Sequence, residues 1–170
     1  MRIGYLFQPD RGATDRLLTD VAARLRGEGV LLAGAVQSNA PCDASPHCDM
    51  DLAVLPDGPV IRISQSLGTA SSGCRLDAGA LEQAVEEAGR RLAGAEVLIV
   101  NKFGKHEAEG RGFRGLVAEA LAQGIPVLIG VNNPNHAAFM AFVGDLAEPL
   151  PDDVPAIVDW CFAQNTKITA

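Results

Sequence analysis

Aromatic residues are scarce in this chain, with one Trp, one Tyr and six Phe among 170 residues. A core with so few rings is built from Ala, Leu and Val, which suits an α/β domain. Basic charge is in deficit: 14 Lys and Arg against 21 Asp and Glu leave a net charge of -7. A general nucleic-acid binder rests on a basic face, so the balance argues against nucleic acid as a partner. It leaves a small anion open, because local donors override net charge. No apolar run reaches the roughly 20 residues of a membrane-spanning helix, so no membrane partner is expected. Cysteine is sparse: four residues fit reduced thiols in the cytoplasm better than a disulfide scaffold. The first residues lead straight into a strand, so no signal peptide is expected.

What is present is an alternation of strands and helices along one domain, 1–170. Arg2 to Phe7 reads as a strand. Thr14 is placed to cap a helix that buries Leu17, Leu18, Val21, Ala22 and Leu25. Val30 to Val36 is a second strand, and Asp51 to Ile63 a hairpin about Pro56-Asp57-Gly58-Pro59. Asp77 caps a helix from Ala78 to Leu92. Val97 to Val100 reads as a strand buried on both faces. Phe113, Leu116, Val117, Ala120 and Leu121 then form the stripe of an amphipathic helix, which Gly124 stops. Ile125 to Val131 is the next strand. Asn133 caps a helix with Pro134 at its first position, and Asp152 or Asp153 caps the last. This order predicts a three-layer α/β fold with a mainly parallel sheet and a small β-hairpin insertion.

The first loop has a specific shape. A phosphate-binding loop reads G-x-x-x-x-G-K-[ST] between a first strand and a first helix. The corresponding run is Phe7 to Thr14, so Gly12 and Thr14 are in place while the first Gly is Phe7 and the Lys is Ala13. The carboxylate that helps hold Mg²⁺ at the end of a later buried strand falls near Asn101, a neutral amide. The topology is that of a P-loop domain without its triphosphate machinery, which weighs against turnover. The plainer reading makes Gly12 to Thr14 a turn and a cap.

The runs RISQSLGTASSGCRLDAGALE and VLIVNKFGKHEAEGRGFR resemble a bacterial family of unknown function associated with molybdenum transport and related to the P-loop nucleoside triphosphatases. The resemblance covers nearly the whole chain. It implies a P-loop-like α/β fold and a link to molybdate, and it brings no chemical activity with it.

Two polar stretches carry the candidate site. The first, Ser64 to Asp77, offers hydroxyls and glycines, with Ser64, Gln65, Gly68 and Cys74 as candidate ligand contacts. Neutral donors of this kind suit a desolvated dianion, and glycines let backbone N–H groups turn toward one point. The second, Asn101 to Arg114, offers Asn101, Lys102, Lys105 and Arg111 as further contacts. The expectation is that both stretches close over one hollow at the carboxyl ends of the strands. The alternatives are an ordinary surface loop and a solvated charge cluster. Glu107 is the general base if the domain is an enzyme. Cys42, His47, Cys48 and Asp49 lack the spacing of a zinc site, so no metal is expected. The expected ligand is a small anion, either an oxyanion (molybdate or tungstate) or a nucleotide-like phosphate. A homo-oligomer and a ligand-free interaction protein remain open readings.

Overall fold

A computed structural model describes residues 3–8, 12–39, 49–65 and 76–165. Among the described residues seven strands form one sheet: β1 (Ile3–Phe7), β2 (Leu32–Asn39), β3 (Met50–Val54), β4 (Val60–Arg62), β5 (Val97–Phe103), β6 (Val127–Val131) and β7 (Ala147–Pro149). Their order is β4-β3-β2-β5-β6-β1-β7. The five strands from β2 to β7 pair in parallel, while β3 and β4 add antiparallel at one edge. The helices are α1 (Ala13–Gly27), α2 (Ala78–Gly89), the single turn α3 (Lys105–Ala108), α4 (Arg114–Ala122), α5 (His136–Val143) and α6 (Val154–Asn165). The predicted three-layer, P-loop-like architecture with its hairpin is what forms.

The helices divide by face. Leu17, Leu18, Val21 and Leu25 of α1 pack with Ile157, Val158 and Cys161 of α6 against Leu6, Val97, Ile99 and Leu128. On the other face α2, α4 and α5 cover Ile3, Leu98, Val100, Val127 and Ile129. The central strands are apolar on both faces because helices bury both. Burying each such aliphatic side chain contributes about 1.5–3 kcal/mol.

One irregularity sets up the site. Val100 pairs with Ile129, but Phe103 pairs with Val131, so β5 carries one more residue than β6 over that step. This bulge flips the side-chain alternation. Val97 and Ile99 face α1, and so does Asn101, which bonds to α1. Beyond the extra residue, Phe103 turns to the opposite face and packs on Phe139.

Several boundaries differ from the sequence expectation. The second strand begins at Leu32 and extends to Asn39, because its last residues pair with Met50 and Asp51 of β3. Helix α1 is not capped by Thr14. Its N-cap is Gly12 at φ 80°, a left-handed conformation open to glycine, and Thr14 lies inside the first turn. Asn133 opens a 3-10 turn, Asn133–Asn135, whose N-cap is Asn132. Asp77 caps α2 by accepting the Ala80 N–H at 3.0 Å, and Asp153 caps α6 by accepting the Ala156 N–H at 2.9 Å. Strand β7 has no counterpart in the sequence reading.

Both outer strands are three residues long. On β4, Arg62 bonds Asp51 at 2.9 Å and Asp49 at 3.0 Å. On β7, the last residue is Pro149. Among the described residues no helix is long and apolar enough to cross a membrane.

Candidate functional site

The carboxyl ends of β1, β5 and β6 surround a cavity of about 460 Å³. Phe7 and Gln8 leave β1 on one side, and Gly12, Thr14 and Asp15 enter α1 below. Asn101 and Lys102 come from the β5 bulge, and Gly130 to Pro134 close the far wall. Gly130 has to lack a side chain here. A Cβ on it would lie 2.3 Å from the Asn101 carbonyl oxygen and 2.7 Å from Thr14 Cγ2.

Asn101 is 4% exposed and bonded through both its polar atoms. Its Nδ2 donates to Asp15 Oδ1 at 2.9 Å, and its Oδ1 accepts the Gln37 backbone N–H at 2.8 Å. A buried amide demands such partners, since each missing hydrogen bond costs about 1–3 kcal/mol. The bonds run from α1 through β5 to β2. They also orient the Asn101 amide, with its nitrogen toward the carboxylate.

Charge in this cavity is divided. Asp15 is 7% exposed and places a carboxylate at the inner end. Lys102 is exposed, lines the same cavity, and makes no ion pair with another described residue. The N-terminal N–H groups of the fifteen-residue α1 point toward the same end of the sheet, where a helix favours negative charge. Lys102 therefore attracts an anion to this cavity, while the partnered Asp15 carboxylate adds negative charge to its wall.

A second hollow of about 250 Å³ lies beside the first and shares Asn101, Lys102 and Asn132 with it. Its floor is apolar: Met50, Leu52, Ile63, Leu76, Leu81 and Phe113. Lys105 and His106 stand on its rim.

The expected site residues separate into groups. Gly12, Thr14, Asn101 and Lys102 come together around the first cavity, and Lys105 stands with Lys102 at the second. Ser64, Gln65 and Arg111 line neither. The Ser64 hydroxyl accepts the Met50 N–H at 3.1 Å and donates to Asp49 at 3.2 Å, so it ties β3 to the start of the polar stretch. Gln65 donates to the Leu76 carbonyl at 3.3 Å. Arg111 bonds Glu109, which also faces Lys105 at 3.8 Å. The Arg111 bond holds the exposed Glu109 carboxyl below its usual range, with Lys105 adding to the effect. Gly68 and Cys74 lie outside the described residues, as do Cys42, His47 and Cys48. Asp49 serves as an ion-pair partner of Arg62.

Glu107 holds the loop together. It is 3% exposed, and its carboxylate accepts the Gly104 N–H and the Phe113 N–H, each at 3.0 Å. The Gly112 N–H goes instead to Glu82 at 2.9 Å. Arg114 places its guanidinium 4.4 Å from the centre of the Phe142 ring. These bonds fix the turn between α3 and α4.

Sequence reasoning missed Asp15, Gln8, Gly130 and the Asn132-Asn133 pair. The pair had a signal, since two amides directly follow an apolar strand. Asp15 had none, because a carboxylate in the first turn of a helix is most often a solvated partner of the dipole.

A family model described as "Protein of unknown function (DUF2478)" matches residues 3–160. The chain belongs to that family. One relative is the molybdenum import ATP-binding protein ModC 2 of Bradyrhizobium diazoefficiens, 32% identical over 160 residues. The match covers 94% of this chain but 18% of the relative, so the chain spans under a fifth of that protein's length. No solved structure matches the chain. The family's sequence thus recurs as one stretch within a much longer protein.

Proposed function

We propose that the domain binds a small anionic ligand at the Lys102 lip of the first cavity and does not turn it over. The ligand is a phosphate-bearing molecule or an oxyanion such as molybdate. The setting is molybdenum handling in the cytoplasm. The observation that carries the reading is Lys102: a cation without an ion pair among the described residues, on the wall of a cavity at a helix N-terminus. Three features support it. The cavity's volume falls within the range of about 300–1,000 Å³ usual for small-molecule sites. Neutral amides at Asn132 and Asn133 supply further donors. The kinship with a molybdenum import protein supports the molybdate assignment, and nothing else does.

Binding without turnover rests on Asn101 and Ala13. Phosphoryl transfer needs a Lys and a metal carboxylate to neutralise charge. Ala13 stands where the Lys belongs, and the Asn101 amide is committed to Asp15 and Gln37.

Calorimetric titration with molybdate, tungstate, sulfate, inorganic phosphate and ATP, each with and without Mg²⁺, tests the reading. At least one anion binds without Mg²⁺, and Lys102→Ala weakens it about 10- to 100-fold, the worth of one charge-assisted hydrogen bond. Unchanged affinity in Lys102→Ala removes the site. Phosphate release from ATP that requires Thr14 replaces binding with a divergent triphosphatase. If no ligand raises the melting temperature, the domain is a protein-interaction module instead, since a ligand of the native state must stabilise it.

A further inference from the structure

We infer that the second hollow receives an apolar, ring-bearing portion of the same ligand whose anionic group sits at Lys102. This rests on the anion reading above. The ligand class is a phosphate monoester, or an equivalent oxyanion ester, of a flat one- or two-ring group.

The two cavities are neighbours with a common wall, since Asn101, Lys102 and Asn132 line both. Lys102 is thus the one described cation that reaches each of them. Lys105 stands at the second hollow alone and already faces Glu109 at 3.8 Å. The walls differ in chemistry. Each is lined by three asparagines; the first adds Asp15 and Thr14 beside Phe7, Val131 and Pro134, whereas the second adds six apolar side chains, Met50, Leu52, Ile63, Leu76, Leu81 and Phe113. A bare oxyanion gains nothing from that apolar floor, whereas a ring buries area against it, worth about 25 cal/mol per Å². The size fits: an apolar cavity of about 150 Å³ holds one benzene, and about 250 Å³ is present here. Pockets that combine an apolar wall with a few polar groups at one end take ligands of this amphipathic kind.

The backbone fixes parts of the wall. Glu107 holds the Gly104 and Phe113 N–H groups, which seats Phe113 in it. Ser64 fixes the end of β3 by accepting the Met50 N–H, and Leu76 pairs across from it.

The test is a ligand ladder on the full chain: inorganic phosphate, phenyl phosphate, 1-naphthyl phosphate and 1-naphthol, each titrated by calorimetry. Affinity rises from phosphate through phenyl to naphthyl phosphate, the last at least tenfold above the first. Leu76→Trp fills the hollow and brings naphthyl phosphate down to the level of inorganic phosphate, whose own affinity stays unchanged. Met50→Trp does the same and serves if Leu76→Trp does not fold. Three equal phosphate affinities overturn the inference and leave the anion site standing. So does a naphthyl advantage that survives both Trp variants. Binding of 1-naphthol with no binding of any phosphate overturns the anion reading and the inference with it.

Discussion

Asn101 donates its side-chain amide to the Asp15 carboxylate at 2.9 Å, which joins the β5 bulge to the first turn of α1 beneath the cavity. A second carboxylate at this position would have no proton to give and would face Asp15 directly. Asn101→Asp therefore destabilises the domain by about 3–5 kcal/mol near neutral pH, the scale of a broken buried charge network. Asn101→Ala costs less, about 1–3 kcal/mol, by leaving the Gln37 N–H and Asp15 underbonded. Urea unfolding at about pH 7.5 measures each quantity. An equal cost for both variants would remove the electrostatic account.

Asp15 places a carboxylate in the wall of the anion cavity. Asp15→Asn keeps an oxygen that can accept from Asn101 and removes the negative charge at the cavity floor. Affinity for inorganic phosphate and molybdate then rises by roughly threefold to tenfold, as expected for one like charge removed at moderate effective dielectric. Titration of the variant beside the parent checks the sign. A fall in affinity would show that the anion needs the carboxylate, through a bound cation or a shared proton.

Glu107 and Gly112 test the loop as a scaffold. A Cβ on Gly112 would lie 2.1 Å from Glu107 Oε1, and φ is +58°. An unstrained Gly-to-Ala change stabilises by about 0.4–1 kcal/mol, whereas Gly112→Ala destabilises by more than about 1 kcal/mol and loosens the α3–α4 turn. Glu107→Gln turns an amide N–H₂ toward a backbone N–H and costs about 1–3 kcal/mol. Both losses appear in thermal melts. In the scaffold account, anion affinity at Lys102 survives Glu107→Gln within a factor of about three.

Burial pushes the Cys161 thiol up to about 12 from its ordinary value near 9.0, and its own backbone opposes the shift only weakly. The neutral thiol is the favoured form in the folded chain. The unfolded chain therefore loses this proton first as pH rises. Stability is unaffected by Cys161 below about pH 9 and falls between about 9 and 12. Cys161→Ala flattens that alkaline decline while costing some packing at every pH. In native protein at pH 8, Cys161 resists iodoacetamide, and it reacts on unfolding; mass mapping of the labelled peptides reads this out. Rapid labelling without loss of the fold would contradict its burial among α1 and α6.

Much of the architecture was legible because both periodicities are strong. Leu17, Leu18, Val21 and Leu25 form an unambiguous helical stripe, and the Asp57-Gly58 turn between apolar runs announces a hairpin. Asn101 was legible as a buried polar residue that had to be satisfied. Its partner was not: the bond to Asp15 spans 86 positions, and no local pattern encodes such a distance. The β5 bulge was hidden as well, because one extra residue in an apolar strand changes which face Phe103 occupies without changing composition. Strand β7 escaped because three residues ending in proline carry no period. The two polar stretches were expected to close over one hollow, the first with hydroxyls and glycines, the second with an amide and cations. The second stretch brings Asn101, Lys102 and Lys105 there, and most of the first lies outside the described residues, with Ile63 and Leu76 at its margins in the apolar wall.

The outermost strands have a consequence for life at high concentration. An open sheet invites a neighbouring molecule to add a rung, and long, flat, greasy margins turn such additions into fibres. Here one margin offers only three residues braced by an arginine between two aspartates, and the other offers three that finish on an imino acid without an N–H to give. Edge-to-edge ladder growth therefore has only three residues to build on at either margin.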